Sequence, residues 1–376
     1  MNKHSIQPRE AVRALRGFTP DLSDRTIPEL RRILGREDVI KLSFNESPYG
    51  PSPQVITALG EAAAQAHLYH DPEGKELREA LAQHFAITAD SVFLANGADE
   101  IITLIAQAFL SPGDEVIVTD PTFGQYAFAA KLMGAQPVVV PVRANLSTDL
   151  AAMAGAITGL TKLIVLCNPN NPTGLIIGSD ELAGFLEQIP GHVLVVLDEA
   201  YAEYVDDSQF LSGIGLVDKY PNIIAVRTFS KIHGLAGLRL GYGIAHPQVA
   251  ALIDRVRSPF NVNALAQVAA LAALADTSYS ARVATLNAAE RRRLTAALTA
   301  LGYKVYSSQA NFVFADTGQD SEQLCQALAK EGIIIRNGAN WAMPAFVRIT
   351  LGNSLQNDRL IESVKNFNSD KHKNLF

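Results

Sequence analysis

The chain has 376 residues, 48% hydrophobic and 19% charged, a balance that builds globular domains and excludes a disordered chain. Its formal net charge of −6 offers no broad basic field, which argues against a nucleic-acid partner and means that any bound anion must be held locally. Two distant cysteines, Cys167 and Cys325, exclude a disulfide framework or zinc cluster; the polar stretch Met1 to Glu10 lacks the apolar core of an export signal, and no run of about eighteen apolar residues occurs, so no membrane span is expected and the cytoplasm is the expected address.

Residues 1–40 are polar and proline-punctuated, with a helical pattern over Ile27–Leu34, and read as an arm that packs on a small domain or a partner subunit. From 41 to 275, apolar runs of strand length alternate with alanine- and leucine-rich helical segments, the pattern of a large α/β domain with a mostly parallel sheet flanked by helices. Its clearest strands are Val116–Val118, Val138–Val140, Leu163–Leu166, Val193–Leu197 and Ile223–Val226, apolar throughout and therefore expected to be buried on both faces. Residues 276–376 read as a smaller α/β domain. It opens with a long helix from Ser278 to about Leu301 stopped by Gly302, and continues with strands Asn311–Phe314 and Val347–Thr350 around a helix from Ser321 to Lys330. The tail from Asn366 to Phe376 reads as frayed.

Four polar clusters begin just where buried strands end: Asp120-Pro121-Thr122-Phe123, Asn168-Pro169-Asn170-Asn171-Pro172-Thr173-Gly174, Asp198-Glu199-Ala200-Tyr201 and Thr228-Phe229-Ser230-Lys231. In an open parallel sheet these ends share one edge, where ligands bind, so the clusters should converge on one site. An amine such as Lys231 forms a Schiff base with an aldehyde, although a lone lysine after a strand is usually only a solvated charge. Arg239 follows Lys231 by eight residues, across Gly234 and Gly237, and its fork suits a phosphate with the Ser230 hydroxyl as a further donor; the plainer alternative is a glycine-rich turn before a strand. Asp198 ends an apolar strand and needs a cationic partner there, which a protonated ring nitrogen supplies, or it caps the next helix.

Other residues carry the same double reading. Tyr201 donates to a ligand oxygen or fills the core, Phe123 stacks on a flat ring or fills the core, and the proline-stiffened turn aims the Asn171 amide at the site or is only a loop. Gly97, Ala98 and Asp99 open a helical pattern whose free N–H groups suit a phosphate, while Asp99 and Glu100 equally fit an ordinary acidic first turn. No G-x-G-x-x-G fingerprint occurs, which disfavours a nicotinamide dehydrogenase.

Together these residues resemble the fold-type I pyridoxal-phosphate (PLP) aminotransferases, and within them the histidinol-phosphate aminotransferase group. The likeness runs through Leu42–Pro51, Tyr69-x-Asp71-Pro72, Gly97–Glu100, Asn170–Gly174, Asp198–Tyr201, Ser230-Lys231 with Leu235–Arg239, and Arg336 and Arg348, in the family's order. It implies Lys231 as the lysine that carries PLP and shuttles a proton, Asp198 on the pyridine nitrogen, Asn171 and Tyr201 on the ring oxygen, and Phe123 as the stacking ring. It further implies Gly97, Ala98, Asp99, Ser230 and Arg239 as the phosphate cup, with Tyr69 reaching it from the neighbouring subunit of a homodimer with shared active sites. Arg348 resembles the clamp on the substrate α-carboxylate, Arg336 a second anion contact and Asn45 a further substrate contact.

The implied activity is ping-pong transfer of an amino group from histidinol phosphate to 2-oxoglutarate. The family's N-terminal Pro-Tyr is here Pro20-Asp21, Tyr69 is followed by His70, Arg336 by Asn337, and Trp341 joins the same C-terminal loop. These departures leave an aromatic or broad-specificity amino acid as an alternative donor. A PLP-dependent amino acid phosphate decarboxylase is the other enzyme alternative, and a non-catalytic PLP-binding regulator is disfavoured because only about forty residues precede the motifs.

Overall fold

The computed structural model describes residues 6–373 except 14, 16 and 18. Among them, twelve strands form two sheets: β1 (Ile40–Leu42), β2 (Val92–Ala95), β3 (Glu115–Asp120), β4 (Gln136–Pro141), β5 (Thr161–Cys167), β6 (Leu194–Asp198), β7 (Ile223–Thr228), β8 (Gly241–Ala245), β9 (Lys304–Val305), β10 (Phe312–Asp316), β11 (Ile333–Asn337) and β12 (Phe346–Thr350). The larger sheet has the order β2-β8-β7-β6-β5-β3-β4 and is parallel from β7 to β4, with β8 antiparallel to both β7 and β2.

Separate apolar clusters cover its two faces. One gathers Ile117, Ile164, Leu166, Val195, Leu197 and Ala225 with the helices Lys75–Phe85 and Ala264–Ala275; the other gathers Val116, Val118, Val165, Val196 and Val226 with the helix Ala98–Phe109. Alternate residues of the central strands thus point into different cores, which is why those strands read as unbroken apolar runs. The expectation of two buried faces fails for β4. It is the edge strand, and Val139 is 54% exposed.

The smaller sheet has the order β1-β11-β12-β10-β9. The strand Ile40–Leu42 joins it, parallel to β11, instead of opening the larger unit as expected from position 41. Leu30, in the arm helix Ile27–Leu34, packs on Ala329 and Ile334, so the arm rests on the smaller sheet. The helix Thr277–Ala300 closely matches expectation. At the C-terminus the expected fraying from Asn366 is not observed as far as residue 373, because the helix Ser354–Lys373 continues there and packs Leu360, Ile361 and Val364 into the sheet core. Residues 374–376 of that tail, and 1–5 of the N-terminal stretch, lie outside the described residues.

Candidate active site

The carboxyl ends of the parallel strands supply most of the site. Cys167 and Asp198 stand in register at the tips of β5 and β6, with Val226 of β7 beside Asp198. Asp198 is 3% exposed, and among the described residues no cationic side chain lies within ion-pair distance of it. It is held by the Tyr126 hydroxyl, which donates to Oδ2 at 2.6 Å, and by the Ala200 N–H, which donates to Oδ1 at 3.1 Å. Burial pushes its carboxyl up to about 6, with the Tyr126 and Ala200 bonds holding it lower than burial alone would. Tyr126 was not legible in sequence. It lies one residue into the helix Gln125–Met133, whose phase, not its composition, aims the phenol at Asp198.

Facing this carboxylate is a set of amides, a phenol and a guanidinium, all buried. Tyr201 Oη accepts from Asn45 Nδ2 at 2.9 Å and from Asn171 Nδ2 at 3.4 Å, so its own O–H remains available to donate. Asn171 Oδ1 in turn accepts from Arg348 Nη1 at 2.6 Å, and Arg348 Nη2 donates to the Ser43 carbonyl at 2.6 Å. The guanidinium Nε of Arg348 is buried without a partner, and no carboxylate lies within ion-pair distance among the described residues. Burial pulls Arg348 down to about 10, and the nearby Arg336 charge adds to this. Asn45 adopts a left-handed backbone (φ +56°), a conformation asparagine tolerates, and is fixed by Thr350 and Asn311.

Lys231 stands near Tyr201 and Arg348. Its Nζ donates to the Phe44 carbonyl at 3.0 Å and sits 5.7 Å from the Tyr201 ring centroid. Burial, reinforced by the Arg348 charge, lowers the amine to about 8. An amine of that basicity is a usable nucleophile near neutral pH.

Arg239, Asp99, Gly97 and Ser230 lie together. Arg239 Nη2 donates to Asp99 Oδ2 at 3.3 Å, and Nη1 reaches Ser230 Oγ at 3.5 Å and the Ala236 carbonyl at 3.1 Å. A Cβ on Gly97 (φ +89°) would stand 2.5 Å from Arg239 Nη2, and one on Gly241 would stand 2.8 Å from the Ala98 nitrogen. Both glycines therefore keep the helix start at Ala98 open beside a guanidinium, a cradle suited to phosphate. Arg239 itself has φ +56°, a left-handed conformation costly for arginine and held by its contacts.

Phe123 packs edge-on against Tyr126, their centroids 5.7 Å apart, which sets it next to the Asp198 anchor. Tyr69 does not join the others within one chain: it is 88% exposed and packs against Phe260 at 4.9 Å. Arg336 lies opposite Arg348 in the β11–β12 register, with its guanidinium 5.4 Å from the Phe44 ring and paired to Asp24 and Asp21 of the arm.

These donors suit PLP chemically. A buried carboxylate without a cation matches a protonated pyridine nitrogen, a weakly basic amine matches an aldehyde, and the glycine-lined helix start with Arg239 matches a phosphate.

The fold and this arrangement define a transaminase of the fold-type I class. The chain belongs to the aminotransferase class I and II family, whose model matches residues 37–364. It is 44% identical to the histidinol-phosphate aminotransferase of Moorella thermoacetica, over 95% of this chain and 92% of the relative. The crystal structure of histidinol-phosphate aminotransferase from Sinorhizobium meliloti, in complex with pyridoxal-5'-phosphate, superimposes with a TM-score of 0.87 at 29% identity, over 97% of this chain and 99% of that one. Aspartate aminotransferase from Thermotoga maritima does so with a TM-score of 0.81 at 26% identity, over 92% and 94%.

Proposed function

We propose that the protein transfers an amino group from histidinol phosphate to 2-oxoglutarate with PLP bound at Lys231. The observation that carries this reading is a set of unmet needs in one site: a buried carboxylate lacking a cation at Asp198, a buried guanidinium lacking an anion at Arg348, and a weakly basic amine at Lys231. The Moorella thermoacetica relative, through its name, supports the donor, and the PLP complex of the Sinorhizobium meliloti relative supports the cofactor.

When bound, PLP supplies an electron sink that stabilises charge developing on the donor α-carbon and holds the amino group between the two halves of the reaction. Lys231 Nζ would hold the cofactor through its aldehyde carbon, the carbonyl oxygen leaving as water, and when free would take the proton from the donor α-carbon. Asp198 keeps the ring nitrogen protonated, while Tyr126 orients Asp198. The Tyr201 O–H and the Asn171 amide hold the ring oxygen, and the Phe123 face covers the ring. Arg239, Ser230 and the N–H groups at Ala98 and Asp99 hold the phosphate, whereas the Gly97 N–H, expected from the sequence to join them, already donates to the Ala95 carbonyl at 2.8 Å. Arg348 clamps the α-carboxylate of 2-oxoglutarate, Asn45 orders that end of the site, and Arg336 meets the phosphate of histidinol phosphate.

Tyr69 completes the phosphate cup of a second copy in a homodimer with shared sites. Its exposure, with Leu68 and Phe260 also exposed beside it, supports this. The division at about residue 275 into larger and smaller units, with the arm and the strand Ile40–Leu42 joined to the smaller one, and a cytoplasmic address, belong to the same reading; among the described residues no helix is long and apolar enough to cross a membrane.

A donor screen with 2-oxoglutarate tests the proposal. Histidinol phosphate should give glutamate with ping-pong kinetics and the highest kcat/KM. A higher kcat/KM for phenylalanine or tyrosine would move the protein to an aromatic donor, and carbon dioxide release without any 2-oxo acid would make it a decarboxylase.

A further inference from the structure

The smaller sheet presents two guanidinium groups as direct cross-strand neighbours, Arg336 on β11 and Arg348 on β12. Like charges in that relation repel. Their surroundings differ sharply. Arg348 has amide and carbonyl partners and a buried Nε with none, whereas Arg336 is already held by carboxylates: Asp24 Oδ1 lies 2.7 Å from Nη2 and Asp21 Oδ2 lies 3.7 Å from Nη1. The Asp24 side chain is 6% exposed and that of Arg336 16%.

Both aspartates come from the arm, Asp24 ending the single turn Leu22–Asp24 and Asp21 capping it. That turn is closed on itself: the Ser23 N–H donates to Asp21 Oδ1 at 2.7 Å and the Asp21 N–H donates to Asp24 Oδ2 at 3.0 Å. It is also wired to the reacting groups. Ser43 Oγ donates to the Ser23 carbonyl at 2.7 Å, while the Ser43 carbonyl accepts from Arg348; Phe44, whose ring faces Arg336, offers its carbonyl to Lys231.

We propose that Asp24, seconded by Asp21, is an internal counter-anion on Arg336 that a donor's distal anion must displace, so that the arm sets how strongly a phosphorylated donor is preferred over a neutral one. This rests on the reading of Arg336 as the distal-anion contact. Two carboxylates against the Arg336 guanidinium cancel its attraction for a phosphate until the arm yields. A phosphate dianion brings three acceptor oxygens to a fork that Asp24 engages through a single nitrogen, so the exchange favours phosphate once the carboxylates withdraw. A neutral donor side chain has nothing to exchange and leaves the arm in place.

The holoenzyme and its Asp24→Asn and Asp21→Asn forms decide this through two measurements: the Kd of inorganic phosphate by titration calorimetry, and the ratio of KM values for histidinol phosphate and for the same alcohol without its phosphate. Asp24→Asn should tighten phosphate roughly three- to tenfold and shift the KM ratio toward the phosphorylated donor by a similar factor. Asp21→Asn, which keeps the acceptor that caps the turn, should move both readings the same way by about twofold or less, and it decides the matter if Asp24→Asn does not fold. Arg336→Gln should abolish the phosphate heat, and a heat that survives it overturns the assignment. Unchanged or weaker phosphate binding in the aspartate variants overturns the exchange whichever donor the enzyme uses, as does a KM that changes equally for both alcohols. Tighter phosphate binding in a protein that accepts neither alcohol leaves the exchange standing and removes the donor reading.

Discussion

Asp198 and Glu199 are neighbours at the end of one strand, both fully buried, and they meet opposite electrostatic circumstances. Glu199 is closed off by protein: Arg227 pairs with it at 2.7 Å and with Glu203 at 2.8 Å, and Ser212 Oγ and the Gly213 N–H donate to the same carboxylate at 2.8 and 2.5 Å. Burial alone would pull the Arg227 guanidinium down, and the two glutamate charges more than reverse it. Asp198 has only a phenol and one backbone N–H, and its carboxyl is pushed up to about 6. Networks that the chain completes hold the fold, whereas those it leaves open, at Asp198, Lys231 and Arg348, are the ones the proposed function assigns to a ligand.

Asp198→Asn sharpens this contrast most. Removing the charge that keeps a ring nitrogen protonated should lower kcat/KM on the order of 10³-fold in a steady-state assay while leaving the fold intact or slightly more stable. Glu199→Gln should do the reverse. Stranding part of the buried Arg227 charge should lower the unfolding free energy by about 3 kcal/mol in urea titration, with a much smaller effect on kcat in the remaining folded enzyme.

Tyr126→Phe removes the hydroxyl that orients Asp198 and lowers its pKa, so kcat should fall roughly tenfold. The acid limb of the pH–rate profile should also move to higher pH, a shift that simple loss of packing would not produce.

The smallest effect concerns the apoprotein. The Lys231 amine is depressed from 10.5 to about 8, so its favourable contribution to folding is fully present above its unfolded value and is lost as pH falls through about 8. Asp198 is raised from 3.8 to about 6, so its contribution is fully present below its unfolded value and is lost as pH rises through about 6. Between about 6 and 8 the apoprotein carries both ionised groups without their ligand. Lys231→Met should therefore stabilise the apoprotein at pH 7 by on the order of 1 kcal/mol, discounted for partial solvent access, and by less at pH 9.5, as read by thermal melts at the two values.

The sequence was most informative where burial is two-sided and motifs sit at strand tips. Strands β3, β5, β6 and β7 were legible because both faces are apolar, and Lys231, Asp198, Asn171 and Tyr201 because they follow those strands directly. β8 was hidden by its glycines. Gly243 is needed because the Phe93 ring of β2 occupies the space a side chain would fill, a cross-strand fact invisible along the chain. Tyr126 and Asp24 are hidden along the chain for a related reason: one depends on the phase of a helix, the other on where the arm docks, and both act on partners far away in sequence. Asp21 was visible as a departure beside Pro20, but its partner Arg336 emerged only from the packing of the arm on the smaller sheet.

The most direct test of the open site is to incubate the apoprotein with PLP, reduce with borohydride and map the adduct by peptide mass spectrometry. The account predicts a visible absorbance band before reduction and one stable adduct on Lys231. A colourless protein, or an adduct on a different lysine, would contradict it.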